Sequence, residues 1–273
     1  MSKLKLLELF GGIGACSKAL KNIGIDYEIV DYVEIDKYAV ASYNAIHGTN
    51  FEPQDICLWD KDIEVDLIMH GSPCQSFSLA GKGEGGDIGS GTRSSLMWET
   101  VRIVDKLKPK YVIWENVKNL LSKKHRHNFD AYLKKMEELG YTNYYQVLNA
   151  KDYGIPQNRE RVFTISIRKD INKIYTFPQK QELKLKLKDL LEDKVDENNY
   201  ISEKTLNSIV YPEHIETTEP AILIKNATKK GYLEAHAGDG CYISNIDKKR
   251  GTVQKEMIPT LKTSPDIGVV VNN

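Results

Sequence analysis

Residues 3–14 read KLKLLELFGGIG, and this stretch decides the fold. The apolar run that ends at Phe10 predicts a strand that becomes buried at its carboxyl end. A glycine-rich turn follows at once, and residues 15–23 have the pattern of a helix. A strand, a glycine turn and a helix in this order are typical of the first unit of a nucleotide-binding α/β fold. Glycine lets the backbone approach a ligand, and the start of the helix offers N–H groups to it.

The next strand is predicted over residues 27–33, and it ends at Glu34. An acidic side chain at the tip of the second strand is placed to accept hydrogen bonds from ribose hydroxyls, or else it is a solvated charge. Asp36 is predicted to cap a helix over residues 37–47. Further along the chain, Asp55 either holds an adenine amino group or makes a turn.

The alternation of strands and helices continues. Strands are predicted at residues 65–69, 111–114, 144–148 and 162–167, and helices at residues 94–107 and 128–139. Strands that alternate with helices predict an α/β protein. From Lys173 onward the chain is basic in places, punctuated by glycine and weakly periodic. We therefore predict two domains, residues 1–172 and a smaller domain of short strands and loops at residues 173–273.

Composition limits the classes of function. Lysine plus arginine and aspartate plus glutamate are equal at 38 each, so any attraction to nucleic acid must be local. The four cysteines show no Cys-x-x-Cys spacing, which argues against a zinc site and a disulfide framework and fits a reducing compartment. No run is long and apolar enough to span a membrane. We expect a cytoplasmic protein without metal or membrane partners.

The octet at residues 71–78, GSPCQSFS, is the first candidate for chemistry. Cys74 follows a short apolar strand and a proline, a position that suits a nucleophile. A lone cysteine is more often a buried structural residue. The glycine-rich segment at residues 82–93 is either a surface loop or a lid that closes over a substrate.

Charged residues follow two later strands. Glu115 comes directly after the strand at residues 111–114, at the end where open α/β sheets bind ligands. It either belongs to a site or caps the segment that follows. Arg159 and Arg161 share one face if a strand has already begun there, and taken alone they would be solvated arginines.

Four of these segments resemble, in family order, the motifs of bacterial and phage DNA cytosine carbon-5 methyltransferases. They are Phe-Gly-Gly-Ile-Gly at 10–14, Pro-Cys-Gln-Ser-Phe-Ser at 73–78, Glu-Asn-Val at 115–117 and Gln-x-Arg-x-Arg at 157–161. The resemblance implies a Rossmann-like sheet that binds S-adenosylmethionine, followed by a small target-recognition domain. Residues 250–252 and 259–261 resemble the closing part of that domain.

The resemblance also implies roles for single residues. Cys74 would be the nucleophile, Glu115 would act on ring nitrogen N3 of cytosine, and Arg161 would contact its carbonyl oxygen. Arg159 would support the site or a phosphate. The residues implied to bind the cofactor are Phe10, Gly12, Gly14, Glu34, Ile35, Asp55, Ile56 and Pro73. Those implied to form the substrate loop are Gln75, Ser76, Ser78 and Arg93.

The expected activity is methyl transfer from S-adenosylmethionine to carbon-5 of a cytosine flipped out of a specific duplex DNA sequence, through a covalent adduct with Cys74. Double-stranded DNA is the expected partner. Whether a cognate restriction endonuclease accompanies the protein is left open.

Three alternatives stay open. The first is an RNA cytosine methyltransferase, since one relative of this fold acts on tRNA. The second is a remnant that binds DNA without turnover, or half of a split methyltransferase. Family members usually close with a segment that the residues after Pro259 do not supply. We expect either a truncated chain, a second polypeptide that completes the enzyme, or a substitution by the chain's own tail, and an incomplete chain is favoured. The third, an NAD oxidoreductase, is disfavoured because Ser17 replaces the third glycine of the dinucleotide fingerprint.

Overall fold

The computed structural model describes residues 3–73, 86–87, 89–210, 221–243, 250–261 and 266–271. The chain forms two compact units. The first comprises Met1–Leu148 and Arg161–Phe177, and the second comprises Asn149–Glu160 and Pro178–Asn273. The sequence places one boundary at residue 172, whereas the chain passes between the units three times. Residues 149–160 group with the second unit because Gln157 and Asn158 pair with a strand at Ile258–Pro259.

The strands are β1 Leu4–Leu9, β2 Tyr27–Val33, β3 Leu67–His70, β4 Tyr111–Val117, β5 Tyr141–Asn149, β6 Gln157–Asn158, β7 Glu160–Arg168, β8 Ile222–Lys225, β9 Tyr232–Ala235, β10 Gly240–Tyr242, β11 Thr252–Gln254, β12 Ile258–Pro259 and β13 Ile267–Val269. The α-helices are α1 Ala15–Asn22, α2 Lys37–His47, α3 Met97–Leu107, α4 Arg126–Glu138 and α5 Glu203–Ile209. The strands and helices predicted for the first unit are confirmed, with shifts of a few residues at their ends.

One six-stranded sheet organises the first unit, with the order β2-β1-β3-β4-β7-β5. β1 pairs in parallel with both β2 and β3, β3 pairs in parallel with β4, and β7 runs antiparallel to β4. The chain therefore leaves β1 to one side and later returns to its other side. In open α/β sheets, ligands bind beyond the carboxyl ends of the strands at such a switch point. The predicted α/β class is confirmed.

Local sequence signals set the helix ends. The Asp36 side chain accepts hydrogen bonds from the N–H groups of Tyr38 at 2.8 Å and Ala39 at 3.3 Å, so the predicted cap of α2 is confirmed. α3 ends at Leu107, and the C-cap residue Lys108 adopts a left-handed backbone before Pro109. These caps set the start of α2 and the end of α3.

Both faces of the sheet are covered. Leu6 and Leu7 are neighbours in β1 and are fully buried, but they belong to different clusters. Leu6 packs with Leu20 of α1, and Leu7 belongs to the larger cluster that includes Met97 of α3 and Tyr132 of α4. Strand side chains alternate between faces, so neighbouring residues reach separate layers. This three-layer packing holds the carboxyl ends of the strands in fixed positions.

The second unit is built from short strands. β10 pairs with β11 and β13 in a three-stranded sheet, β8 pairs with β9, and β12 pairs with β6. Ile224, Ala235 and Cys241 form its buried cluster. α5, which the weak periodicity after residue 198 does not predict, begins with Ser202 accepting a hydrogen bond from Thr205 N–H. Among the helices in the described ranges, none combines the length and apolar character needed to cross a membrane.

Candidate active site

The glycine turn after β1 holds an uncommon backbone. Phe10 has φ 53°, Gly12 has φ 52° and Gly14 has φ 85°. A left-handed conformation is strained for an aromatic residue, and such strain concentrates at functional sites. The turn is also crowded, because a β-carbon on Gly14 would overlap the ring of His47. Position 14 therefore requires glycine on two grounds, backbone angle and space.

Glu34 connects the end of β2 to this turn. One carboxylate oxygen accepts from the N–H of Gly12 at 3.2 Å, and the other accepts from Ile35 N–H at 2.9 Å and Asp36 N–H at 3.0 Å. The hydroxyl of Tyr32 donates to Gly12 O at 2.6 Å. The backbone of Gly12 is thus fixed at both its N–H and its carbonyl. A carboxylate offers about four acceptor positions, so Glu34 retains capacity for a ligand hydroxyl.

A buried carboxylate that the sequence motifs did not indicate binds the helices next to the turn. Glu8 in β1 is fully buried and accepts from the backbone N–H of Ser17 at 3.1 Å. It also accepts from the hydroxyls of Ser17 and Tyr43. Burial, followed by the charge of Glu8, raises the pKa of Tyr43, so the tyrosine remains a donor. The signal was available as a charged residue inside an apolar run.

The Asp55 loop lies beyond the end of β2 and is held by Asp31, which is only 3% exposed. Asp31 accepts from Trp59 Nε1 at 2.7 Å and Gln54 Nε2 at 3.0 Å, and it pairs with Lys61 at 2.7 Å. Burial alone would raise the pKa of Asp31, but the hydrogen bonds from Lys61, Trp59 and Gln54 together lower it. These contacts fix the loop on either side of Asp55.

Arg102 of α3 also holds this loop, through the loop's backbone carbonyls. Its guanidinium donates to the carbonyls of Ile56 at 3.0 Å and Trp59 at 2.9 Å, and it pairs with Glu99 at 2.7 Å. Asp55 itself accepts from Cys57 N–H at 2.9 Å, as expected for a turn residue. The turn interpretation of Asp55 is therefore confirmed, and the adenine interpretation stays a prediction.

Two apolar residues expected at the cofactor differ in accessibility. Ile35 is 67% exposed at the end of β2, next to Glu34. Ile56 is 5% exposed and lies in the core cluster, so its side chain is not accessible to a ligand. An exposed isoleucine beside a carboxylate is suited to the apolar face of a ligand whose polar edge meets Glu34.

The approach to Cys74 is tightly held. Ser72 is 3% exposed, its hydroxyl accepts from Trp114 Nε1 at 3.0 Å, and its carbonyl accepts from Asn116 Nδ2 at 3.1 Å. Both partners belong to β4, so the strand that carries Glu115 also fixes the chain just before Pro73. Four predicted site residues lie outside the described ranges: Cys74, Gln75, Ser76 and Ser78.

The other cysteines are poor nucleophiles. Burial raises the pKa of Cys16 to about 12, with Glu8 and Glu115 adding to the effect. Burial also raises the pKa of Cys241 to about 12, with a smaller contribution from Asp239. The pKa of Cys57 is raised by desolvation and then by Asp55. A thiol must ionise to attack, so none of these three is prepared for that role.

Glu115 and Arg161 meet on neighbouring strands. Arg161 Nε lies 3.0 Å from Glu115 Oε1, and the two side chains are 17% and 33% exposed, respectively. Glu115 is opposite Phe163 in the antiparallel ladder, so Arg161 occupies the diagonal position on the same face. The sequence named both residues but could not say that they form a pair. The pair presents a carboxylate and a guanidinium side by side at the carboxyl end of β4.

Arg159 is placed differently. β7 begins at Glu160, so Arg159 lies outside the strand and the condition for sharing a face with Arg161 is not met. Arg159 groups with the second unit, where its N–H donates to Asn149 Oδ1 at 3.1 Å and its carbonyl accepts from Ala150 N–H at 3.1 Å. Asn149 and Ala150 thus fix the backbone of Arg159 just before β7.

Arg93 opens a short 3-10 helix over Arg93–Leu96, whose first turn is capped by Thr92. Seven residues before Arg93, the carbonyl of Gly86 accepts from Trp98 Nε1 at 2.9 Å. Gly86, within the predicted lid at residues 82–93, is therefore attached to α3. Within the described ranges, no group of three or more histidine, cysteine, aspartate or glutamate side chains could hold a metal ion.

The chain is similar in sequence to known proteins. A family model described as C-5 cytosine-specific DNA methylase matches residues 4–265. The chain is 38% identical over 253 residues to the type II methyltransferase M2.ScrFI of Lactococcus lactis subsp. cremoris, covering 72% of this chain and 70% of the relative. It is 37% identical over 234 residues to M.HhaI of Haemophilus parahaemolyticus, covering 85% and 69%, respectively.

Solved structures agree with the sequence matches. A crystal structure of a Spodoptera frugiperda DNMT2 mutant is similar with a TM-score of 0.64 and 26% identity, covering 77% of this chain and 66% of that one. The chain spans 55% and 59% of the lengths of the orphan methyltransferases of Bacillus phages SPR and rho11s. On the family match over residues 4–265 and relatives well above 30% identity, the chain belongs to the C-5 cytosine-specific DNA methylase family.

Proposed function

We propose that this chain transfers a methyl group from S-adenosylmethionine to carbon-5 of a cytosine flipped out of duplex DNA. The observation that carries the proposal is the Glu115–Arg161 pair, with Nε and Oε1 3.0 Å apart. Glu115 belongs to β4, the strand whose Trp114 and Asn116 hold Ser72, two residues before Cys74. A carboxyl group beside a guanidinium matches the N3 and O2 edge of cytosine.

The cofactor assignment rests on the carboxyl ends of β1 and β2. The strained turn at Phe10 brings bare backbone to the surface, Glu34 faces it with acceptor capacity to spare, and Ile35 offers an exposed apolar side chain. These groups suit the methionine end, the ribose and the adenine of S-adenosylmethionine, and Asp55 would meet the adenine amino group. Bound there, this cofactor supplies a methyl group on a positively charged sulfur.

Cys74 is the proposed nucleophile. Carbon-5 of cytosine is a weak nucleophile, and addition of a thiolate at carbon-6 turns the ring into an enamine that can accept a methyl group at carbon-5. Cys74 is assigned from the Pro-Cys-Gln-Ser-Phe-Ser motif at 73–78, and the raised pKa values of Cys16, Cys57 and Cys241 make those thiols less suited to the role. After methylation the carbon-5 proton passes to a base, water being sufficient, and the Cys74–carbon-6 bond breaks to release the thiolate.

Glu115 and Arg161 would stabilise the intermediate from the opposite edge of the ring. A proton shared between the Glu115 carboxyl and N3 draws electron density away from carbon-6 and favours thiolate addition. Arg161 would balance the negative charge that develops on O2. Because Arg161 is already fixed against Glu115, little rearrangement is needed when the base arrives.

Duplex DNA is the proposed substrate because the matching family model is described as C-5 cytosine-specific DNA methylase. The target atoms of cytosine are inaccessible in a stacked duplex, so the base must leave the stack. The second unit, with its short strands and loops, is proposed as the target-recognition domain that reads neighbouring bases. Basic residues at 225–230 and 248–250 would provide phosphate contacts there.

The experiment is covalent trapping on duplex DNA that carries 5-fluorocytosine, in the presence of S-adenosylmethionine. Fluorine blocks proton release, so an active enzyme should accumulate a complex that survives denaturing electrophoresis. Cys74→Ser should form none, whereas Cys241→Ser, a matched change at a buried cysteine, should trap normally. Tritium transfer to duplex DNA and to tRNA, measured in parallel, separates the DNA activity from an RNA activity. Trapping by Cys74→Ser, or methylation of tRNA alone, would refute the proposal.

A further inference from the structure

A basic cluster follows the catalytic strand. Residues 123–127 read KKHRH, follow the short helix at Lys118–Leu121 and extend into the first turn of α4. The whole chain has no net charge, so a run of this kind concentrates positive potential locally. The methyl-transfer mechanism above uses none of these residues.

Some side chains of this cluster are hydrogen-bonded to neighbouring residues, and two lysines are exposed to solvent. Arg126 donates to Asp130 at 2.7 Å and to the Tyr145 hydroxyl at 3.1 Å, and His127 contacts Asp87 at 3.0 Å. His125 is buried, and burial, then Lys124 and His127, lowers its pKa. Lys123 and Lys124 are exposed, and no carboxylate in the described part of the chain lies within ion-pair distance of either. Two cations thus face solvent beside fixed neighbours.

The position of these lysines is defined by the sheet. They follow the carboxyl end of β4, the same end that carries Glu115. α4 then runs back toward the edge of the sheet where β4 begins. The carbonyl of Gly140, just after α4, accepts from Lys169 N–H, and the neighbouring Arg168 N–H donates to the carbonyl of Lys110, just before β4. A helix of 13 residues spans about 20 Å. Lys123 and Lys124 therefore lie at the ligand-binding edge, and the end of α4 does not.

We infer that Lys123 and Lys124 bind the phosphate backbone of the substrate duplex next to the flipped cytosine. The inference rests on the proposed DNA methyltransferase activity and adds a contact surface within the catalytic unit itself. Phosphates along the duplex come at short intervals, so a base held at Glu115 brings its neighbouring phosphates to the same edge of the sheet. Exposed lysines are suited to them because an ammonium on a flexible stem needs no fixed geometry.

The test measures the salt dependence of DNA affinity with the full chain. Each neutralised phosphate contributes about 0.9 to the slope of log affinity against log salt concentration, so Lys123→Gln with Lys124→Gln should flatten it by about 1.8. The affinity deficit of this variant should then shrink by about tenfold between 50 and 200 mM salt. The matched control is Lys134→Gln with Lys135→Gln, two exposed lysines near the other end of α4. It removes the same charge and should leave the slope unchanged.

Equal slopes for both double variants would overturn the inference, and so would a change seen with tRNA but not with duplex DNA. Affinity for S-adenosylmethionine should be unaffected in every variant, since these lysines lie outside the cofactor residues. Trapping of Cys74 on 5-fluorocytosine DNA is the separate control. If trapping succeeds while the slopes are equal, only this inference fails. If trapping fails with the unaltered chain, the proposed function fails first.

Discussion

Replacing Asp31 with asparagine should loosen the loop that carries Asp55 while leaving the catalytic pair intact. Asp31 is 3% exposed and accepts hydrogen bonds from Trp59, Gln54 and the backbone N–H of Tyr32. Lys61 adds an ion pair at 2.7 Å. Asparagine keeps the size of the side chain but removes the charge and turns one acceptor into a donor.

The magnitude follows from these four contacts. A hydrogen bond to a charged group is worth about 1.5–3 kcal/mol and a neutral one about 0.5–1.5 kcal/mol. The bonds from Gln54 and Tyr32 share one oxygen of Asp31 and would each lose about 1 kcal/mol. The bond from Trp59 instead meets the new NH2 group and is lost whole, at about 1.5–3 kcal/mol. Lys61 is half exposed, so its pair adds less than about 1 kcal/mol. The total is about 4–6 kcal/mol, which corresponds to a fall in Tm of about 10–20 °C for a unit of this size.

Thermal unfolding at several pH values measures this effect. The pKa of Asp31 is lowered in the folded state, so its contribution is full above the unfolded value near about 4 and is lost as pH falls through the folded value. The Tm difference between the unaltered chain and Asp31→Asn should therefore shrink in acid. Asp60→Asn is the control, because that side chain is 74% exposed beside the same loop.

Calorimetry with S-adenosylmethionine provides the functional measurement. Because Gln54 and Trp59 flank Asp55, Asp31→Asn should weaken cofactor binding, while kcat at saturating cofactor stays near that of the unaltered chain. A loss of only about 0.5 kcal/mol of stability would lower the Tm by about 1–2 °C. A Tm shift no larger than this at pH 7 would show that Asp31 does not hold the loop as reasoned. Unchanged cofactor affinity despite a large Tm shift would separate the loop from the cofactor site.

Three further outcomes are expected. Glu34→Ala should weaken S-adenosylmethionine binding by about 1–3 kcal/mol, the value of a hydrogen bond to a charged group, and unchanged calorimetric affinity would count against the ribose assignment. Arg161→Lys should lower kcat by about 10²–10³ with little change in cofactor affinity, since it loses a fixed donor to O2; a normal kcat would remove Arg161 from the mechanism. Trp114→Phe deletes the hydrogen-bond donor to Ser72. In steady-state kinetics, kcat should fall by a larger factor than the KM for S-adenosylmethionine or the KM for DNA changes.

The sequence predicts the elements of the first unit well because their signals are local. Apolar runs and helical periodicity locate β1 to β4 and α1 to α4 within a few residues, and Asp36 marks the start of α2. The second unit is harder to read. Its strands are three or four residues long, or even two, and α5 has seven, too short for a hydrophobic period to emerge.

The buried polar residues could not be assigned in this way. Glu8 and Asp31 sit inside apolar strands, where the pattern alone suggests an irregularity. Their hydrogen-bond partners lie far along the chain: Tyr43 for Glu8, Trp59 and Lys61 for Asp31. Ser17 illustrates the same point. In the sequence it is a missing glycine, and in the structure it is a donor to Glu8.

The sequence by itself determines the α/β class, the order of the elements and the motifs that assign the family, because each depends on residues close together in the chain. Only the tertiary structure decides that Glu115 meets Arg161 and that Arg159 falls outside the strand. It also decides that Asp31 and Arg102 fix the Asp55 loop. The physical reason is register: which side chains meet across a sheet depends on how distant strands pair, and a slip of one residue would turn Arg161 to the other face.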